Sequence, residues 1–299
     1  MNNALFVGSG VALVTPFDER GVDERVLREL VEFQVAEGTN AIVVCGSTGE
    51  AATMSAAEQG RVAAVAVEAT AGRVPVVVGV GGTDTAVVAK LARQARQAGA
   101  DALLASPPPY NKPGQRGMLA HFRAVLEAGD LPMIVYNVPS RTACNVQPET
   151  IEQLAGDARV IGVKEASGDV SQVAELARRV HGRLAIYSGN DDQVLPLMAL
   201  GGLGVISVVA NIAPAAVARM VRSFLDGDLE EARQMQFRYL PLVQALFSEP
   251  NPVPVKAAVR ALGFEVGDVR LPLTPPLDET VQLIRERMKE AGIDVEVGV

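Results

Sequence analysis

Along the first two-thirds of the chain, short apolar runs alternate with longer segments whose apolar residues recur at helical spacing. Eight runs stand out: Gly10–Thr15, Ala41–Gly46, Pro75–Val80, Ala102–Ser106, Pro132–Asn137, Val160–Glu165, Leu184–Gly189 and Gly204–Val209. Each is short and flanked by helical patterns, so each reads as a strand buried on both faces of a parallel sheet. Between them lie Asp23–Glu37, a segment opened by Ser55, then Thr83–Ala98, Gln115–Ala128, Pro148–Ala155, Asp169–Val180, Asp191–Leu200 and Pro214–Leu225. In the first of these, Val26, Leu30, Phe33 and Val35 fall near one face. Ser55 and Glu58 have the spacing of a capping box. Strands alternating with helices at a step of about 20–35 residues predict an α/β fold, a (β/α)8 TIM barrel over residues 1–225. An open doubly wound sheet is the alternative, and eight regular units favour closure.

After Leu225 the strand pattern stops. Leu229–Leu246, Pro254–Leu262 and Asp278–Ala291 read as helices, broken by proline-rich stretches at Glu249–Pro254 and Leu271–Pro276. Residues 226–299 are therefore expected to form a small C-terminal helical domain that covers barrel helices or makes an oligomer contact.

Composition narrows the function. The 299 residues are 48% hydrophobic, enough for a large core, and the net charge is -8. An acidic chain is a poor partner for nucleic acid or an anionic membrane. Residues Met1–Gly10 lack a basic segment leading into an apolar one, so no signal peptide is expected, and no apolar run reaches spanning length. Cys45 and Cys144 form no Cys-x-x-Cys pair, and His121 and His181 are the only histidines. A disulfide framework and a histidine-rich metal site are both disfavoured, and a cytoplasmic protein is expected.

The run Val160–Glu165 ends in a lysine. Burial at a strand end disfavours the ammonium, lowers its pKa and frees the amine to attack a carbonyl. The plainer reading is a lysine that snorkels to water. Barrel enzymes carry their chemistry at the C-terminal ends of the strands, and there the polar residues gather: Gly46-Ser47-Thr48-Gly49-Glu50, Tyr110-Asn111, Tyr136-Asn137, Arg141, Lys164, Ser188-Gly189-Asn190 and Asn211. That convergence favours Lys164 as a nucleophile. Tyr136 is either a core tyrosine or a proton shuttle to an imine-forming lysine. Ser47 and Thr48 either bond the local turn or hold a carboxylate. Gly79–Gly82 fails the dinucleotide fingerprint, whose third glycine would fall at Asp84, and reads as a close-packed loop. Arg141 is a surface pair or a clamp for a substrate carboxylate. Asp191 and Asp192 read first as helix N-terminal charges and second as ligands for sugar hydroxyls.

These residues carry a resemblance. Gly46–Glu50, Tyr136-Asn137-Val138-Pro139-Ser140-Arg141-Thr142, Gly162–Ala166 and Glu249-Pro250-Asn251-Pro252-Val253-Pro254-Val255-Lys256 resemble the dihydrodipicolinate synthase family, within the wider pyruvate-lyase superfamily. The resemblance spans nearly the whole chain. It implies a homotetrameric lyase, a dimer of dimers, acting in lysine and diaminopimelate biosynthesis on pyruvate and L-aspartate 4-semialdehyde. Lys164 would form the Schiff base with pyruvate, and Tyr136 would be the general acid/base. Ser47 and Tyr110, the latter from a neighbouring subunit, would complete a proton relay. Thr48 would bind the pyruvate carboxylate and Arg141 that of the semialdehyde, while Gly189 and Ile206 would line the pyruvate pocket. No metal or organic cofactor is implied.

Two departures stand out. Ser47 replaces the threonine usual in the synthases and lacks the β-branch that fixes its rotamer. Sialic-acid lyases and keto-deoxy-gluconate aldolases often have this serine, although the lyases lack the Ser140-Arg141 pair. The positions matching the effector site of lysine-inhibited members hold Ala56, Gln59, Thr83, Val87 and Pro109, so weak or absent feedback inhibition is expected. The rivals are a sister pyruvate aldolase for a sugar acid, a barrel isomerase binding a sugar phosphate, and a non-catalytic binding protein.

Overall fold

The structure is a computed structural model and describes residues 4–295. The eight apolar runs form parallel strands: β1 (Gly8–Ala12), β2 (Ala41–Val44), β3 (Val76–Val80), β4 (Ala102–Ala105), β5 (Met133–Asn137), β6 (Val160–Glu165), β7 (Ala185–Ser188) and β8 (Gly204–Ser207). Each pairs with the next, and β1 pairs with both β2 and β8, which closes the barrel. Helices follow the strands on the outside, and the Ser55–Glu58 capping box forms as the spacing predicts.

Because successive side chains point to opposite faces, each strand feeds two apolar layers. An inner cluster holds Val43, Val77, Leu104, Ile134, Tyr136, Tyr187 and Ile206. A larger outer cluster packs strands against helices. Phe6 enters the inner cluster ahead of β1. Its ring stacks on Tyr187 with centroids 4.3 Å apart, and the Tyr187 hydroxyl donates to the Phe6 carbonyl at 2.7 Å. Gly10 makes room for that ring, since a Cβ there would sit 3.0 Å from it.

The β5–β6 pairing contains an irregularity that decides where the lysine points. Met133 pairs with Val160, but Ile134 pairs with Gly162, so Ile161 is skipped. The shift sets Lys164 beside Tyr136 and Glu165 beside Asn137. Continuing the first pairing unshifted would set Lys164 beside Asn137. A one-residue slip exchanges faces, so this bulge brings Lys164 onto the inner face with Tyr136.

Three helices follow the barrel: Leu229–Leu246, Val253–Ala261 and Asp278–Ala291. The first packs along Pro214–Leu225, and Leu242, Val243 and Val255 join the outer cluster. Several expected boundaries move by a few residues, two of them for a visible reason. The first strand begins at Gly8 and ends at Ala12, because Val14 N–H turns to Asn211 Oδ1 and the Thr15 hydroxyl to the Gly49 carbonyl, leaving the sheet. The helix expected over Asp191–Leu200 splits into a 3-10 turn, Asp191–Gln193, and a short helix, Val194–Ala199. Pro196 has no N–H to give and is tolerated only in a first turn.

Candidate active site

Lys164, the next-to-last residue of β6, points into the barrel mouth and is 5% exposed. Its Nζ lies 4.5 Å from the centroid of the Tyr136 ring, the neighbour across the β5–β6 pairing. Among the described residues no carboxylate forms an ion pair with it. Loss of hydration lowers its pKa to about 8, the nearby Asp191 charge opposes that shift, and Arg141 adds to it. The result is an amine whose free-base fraction near neutrality is far larger than that of an ordinary lysine. Burial pushes the Tyr136 phenol upward, while Arg141 and a hydrogen bond with Ser47 act the other way. Lys164, Tyr136 and Ser47 thus form one cluster.

Ser47 comes from the loop after β2, and that loop depends on tight backbone packing. Cys45 and Glu50 take positive φ values of 55° and 54°. A Cβ on Gly79 of β3 would run into the Cys45 carbonyl, which explains the glycine expected to pack closely there. The same loop carries Thr48, buried, whose hydroxyl accepts from Asn251 Nδ2 at 2.9 Å. Arg141 sits in a helical turn, Pro139–Thr142, just after β5, and its Nη2 donates to the Asn251 carbonyl at 3.0 Å. Asn251 therefore joins the two residues expected to hold carboxylates. Its Oδ1 is buried and has no hydrogen-bond partner among the described residues. In the sequence Asn251 stands within the proline-rich stretch Glu249–Pro254, with no role expected of it. The signal was there: an asparagine between two prolines, well past the last strand.

Gly189 closes β7 against the lysine, where a Cβ would lie 3.1 Å from Lys164 Cε and 2.7 Å from the Ala166 Cβ. Ile206 of β8 is fully buried in the inner cluster with Tyr136. Tyr110 stands apart. It is 86% exposed, has a φ of 67°, and makes no hydrogen bond with the other candidates.

Asp191 stands in the first turn of Asp191–Gln193, where the helix N-terminal reading expects it. Its carboxylate leaves its own turn and accepts from the N–H groups of Val208 and Val209, at 2.8 and 3.2 Å, beyond the end of β8. It is 5% exposed, burial raises its pKa, and it faces Lys164 as a counter-charge rather than solvent. Asp192 is exposed. Among the described residues no three His, Cys, Asp or Glu side chains come together in a way that could hold a metal ion.

Fold and site together define a (β/α)8-barrel enzyme with a buried, unpaired lysine at the C-terminal rim. The comparisons agree. The model of the dihydrodipicolinate synthetase family matches residues 5–291. A 4-hydroxy-tetrahydrodipicolinate synthase of Thermoanaerobacter sp. (strain X514) is 50% identical over 290 residues, 97% of this chain and 98% of that one. The dihydrodipicolinate synthase structure from Aquifex aeolicus superposes with a TM-score of 0.95 at 40% identity, covering 98% of this chain and 100% of that one. A synthase from Cyanidioschyzon merolae, solved with lysine bound, gives 0.94 at 40% identity over 97% and 99%. The chain belongs to the dihydrodipicolinate synthetase family. It is a lyase of lysine and diaminopimelate biosynthesis.

Proposed function

We propose that the protein condenses pyruvate with L-aspartate 4-semialdehyde through a Schiff base on Lys164. The observation that carries this reading is the buried Lys164 amine, unpaired with any carboxylate and set over the Tyr136 ring. The neutral amine attacks the keto carbon of pyruvate. Tyr136, in its hydrogen bond with Ser47, gives a proton to the departing oxygen, and water leaves as the imine forms. Loss of a methyl proton yields the enamine, whose carbon attacks the aldehyde. The substrate's own amine then displaces Lys164 and closes the ring.

Thr48 holds the pyruvate carboxylate and Gly189 and Ile206 shape its pocket. Arg141, anchored at Asn251, clamps the carboxylate of the semialdehyde. The helices from residue 226 onward act as a domain that delivers Asn251 to this rim. The protein acts in the cytoplasm as a homotetramer, a dimer of dimers. The exposed Tyr110 enters a neighbour's site there and completes the relay with Ser47. Lysine inhibits weakly or not at all. Gln59 donates its amide to the Ala51 and Met54 carbonyls, and Val87 offers an ammonium only apolar surface.

A substrate panel tests the reading. Pyruvate loss is followed with aspartate 4-semialdehyde, N-acetylmannosamine and glyceraldehyde in turn. Turnover with the semialdehyde alone is expected, and turnover on a sugar aldehyde instead moves the protein to a sister aldolase. Half-inhibition by sub-millimolar lysine would contradict the regulatory part.

A further inference from the structure

One residue pair earlier than the site, the outward-facing positions of β5 and β6 are Val135 and Val163, an ordinary apolar filling between strand and helix. The next outward pair is Asn137 and Glu165, 0% and 2% exposed. Burying an amide against a carboxylate costs free energy that an apolar pair would not. These two positions alternate with Tyr136 and Lys164, so they lie directly behind the candidate chemistry.

The hydrogen bonds say what the pair holds. Asn137 Nδ2 donates to both Glu165 oxygens, at 3.1 and 3.3 Å, and to Asn145 Oδ1 at 2.8 Å. Asn137 Oδ1 accepts from Val146 N–H at 2.9 Å. Glu165 Oε1 also accepts from Ser167 N–H at 2.7 Å. Asn145 and Gln172 exchange bonds of 2.7 and 3.1 Å, which extends the network to the next helix. The chain leaves β5 after Asn137, makes the turn that carries Arg141, and returns to the same amide at Asn145 and Val146. Asn137 thus closes the loop at its base and ties β5 to β6 at its top.

We infer that Asn137 is a positioning residue for the reaction. Its one amide sets Tyr136 against Lys164 through Glu165 and sets Arg141 through the closed loop. The inference rests on the roles proposed above for those three residues. A purely structural network would lower the melting temperature and leave the chemistry of the folded enzyme unchanged.

The test compares Asn137→Ala, Asn137→Asp and the double variant N137D/E165Q. In Asn137→Asp the donors become acceptors facing Glu165. In the double variant the amide moves to the other strand, so the bond re-forms with donor and acceptor exchanged, and Asn145 and Gln172 turn their amides to match. Three quantities are read: melting temperature, kcat and KM for each substrate, and the pH midpoint for acetylation of Lys164 by acetic anhydride, mapped by mass. A misplacement of about 1 Å costs on the order of a hundredfold in rate. Asn137→Asp is expected to lose about that factor in kcat and to raise KM for the semialdehyde more than for pyruvate. The double variant is expected to regain about tenfold. The Lys164 midpoint is expected to move upward in Asn137→Ala as water reaches the amine, with Asp191, Arg141 and Tyr136 still facing it. Unchanged kcat and midpoint with only a lower melting temperature would overturn the inference, as would a double variant no better than Asn137→Asp. If the parent enzyme gives no borohydride-trapped pyruvyl adduct, the proposed reaction fails. The acetylation midpoints then judge the positioning role without it.

Discussion

The molecule buries two lysines in two different regions. Lys164 sits in the barrel mouth, and Lys256 lies in the C-terminal helix Val253–Ala261, 1% exposed. Both Nζ atoms face an aromatic ring at nearly the same distance, 4.5 Å over Tyr136 and 4.4 Å over Phe17. Their partners differ. Lys256 Nζ donates to Glu50 Oε1 at 2.9 Å and to the Asp268 carbonyl at 2.9 Å. Burial lowers its pKa, and the Glu50 charge and hydrogen bond work against that. Lys164 has a counter-charge in Asp191 but no ion pair or hydrogen bond with it among the described residues. Burial alone therefore does not make a nucleophile. A paired lysine remains an ammonium and joins two segments, here the loop carrying Ser47 and Thr48 and the helix after Asn251. An unpaired one gives up its proton more readily, with a pKa of about 8.

Removing each lysine should break different properties. Lys164→Ala is expected to abolish turnover, a loss of about a thousandfold or more, because no other group supplies the amine. Its melting temperature should hold or rise, since a desolvated cation is gone. Melting curves and pyruvate consumption check both halves. Lys256→Met should leave Glu50 buried and unpaired and destabilise the fold by about 3–5 kcal/mol, measured by urea unfolding. Adding Glu50→Gln should recover much of that.

Tyr136→Phe keeps the ring over Lys164 and removes the proton. A drop of about a hundredfold in kcat is expected with the pyruvyl adduct still trapped, seen by comparing turnover with single-turnover trapping. The smallest effect is the pH response. With a pKa of about 8 the amine is the free base above that value, so the rate of adduct formation should rise with pH through a midpoint near 8. The linkage has a definite sign. The folded pKa lies below the unfolded one, so this lysine's burial costs stability fully below about pH 8. That cost fades as pH rises toward about 10.4. Glu50 should keep Lys256 from following the same course.

Much of this comparison was legible in the chain itself. Eight apolar runs between helical segments identify the barrel, and the strand-end rule places Lys164, Tyr136, Ser47 and Gly189 on one rim. Three features were not legible. The bulge at Ile161 decides that Lys164 faces inward, and no local pattern around Val160–Glu165 announces a skipped residue. Glu50 and Lys256 are 206 residues apart, so their pairing depends on how the C-terminal helices fold back over the rim. Asp191 lies at the start of its own turn, yet its carboxylate serves the turn after β8, accepting from Val208 and Val209 N–H, which are 17 and 18 residues away in the chain. Each miss is a tertiary contact overriding a local preference.

Pairing, not burial, separates the two lysines, and borohydride trapping distinguishes them. The protein is incubated with pyruvate, reduced with borohydride, digested and mass-mapped at both positions. A pyruvyl adduct is expected on Lys164 and none on Lys256. An unmodified Lys164, or an adduct shared with Lys256, would contradict this.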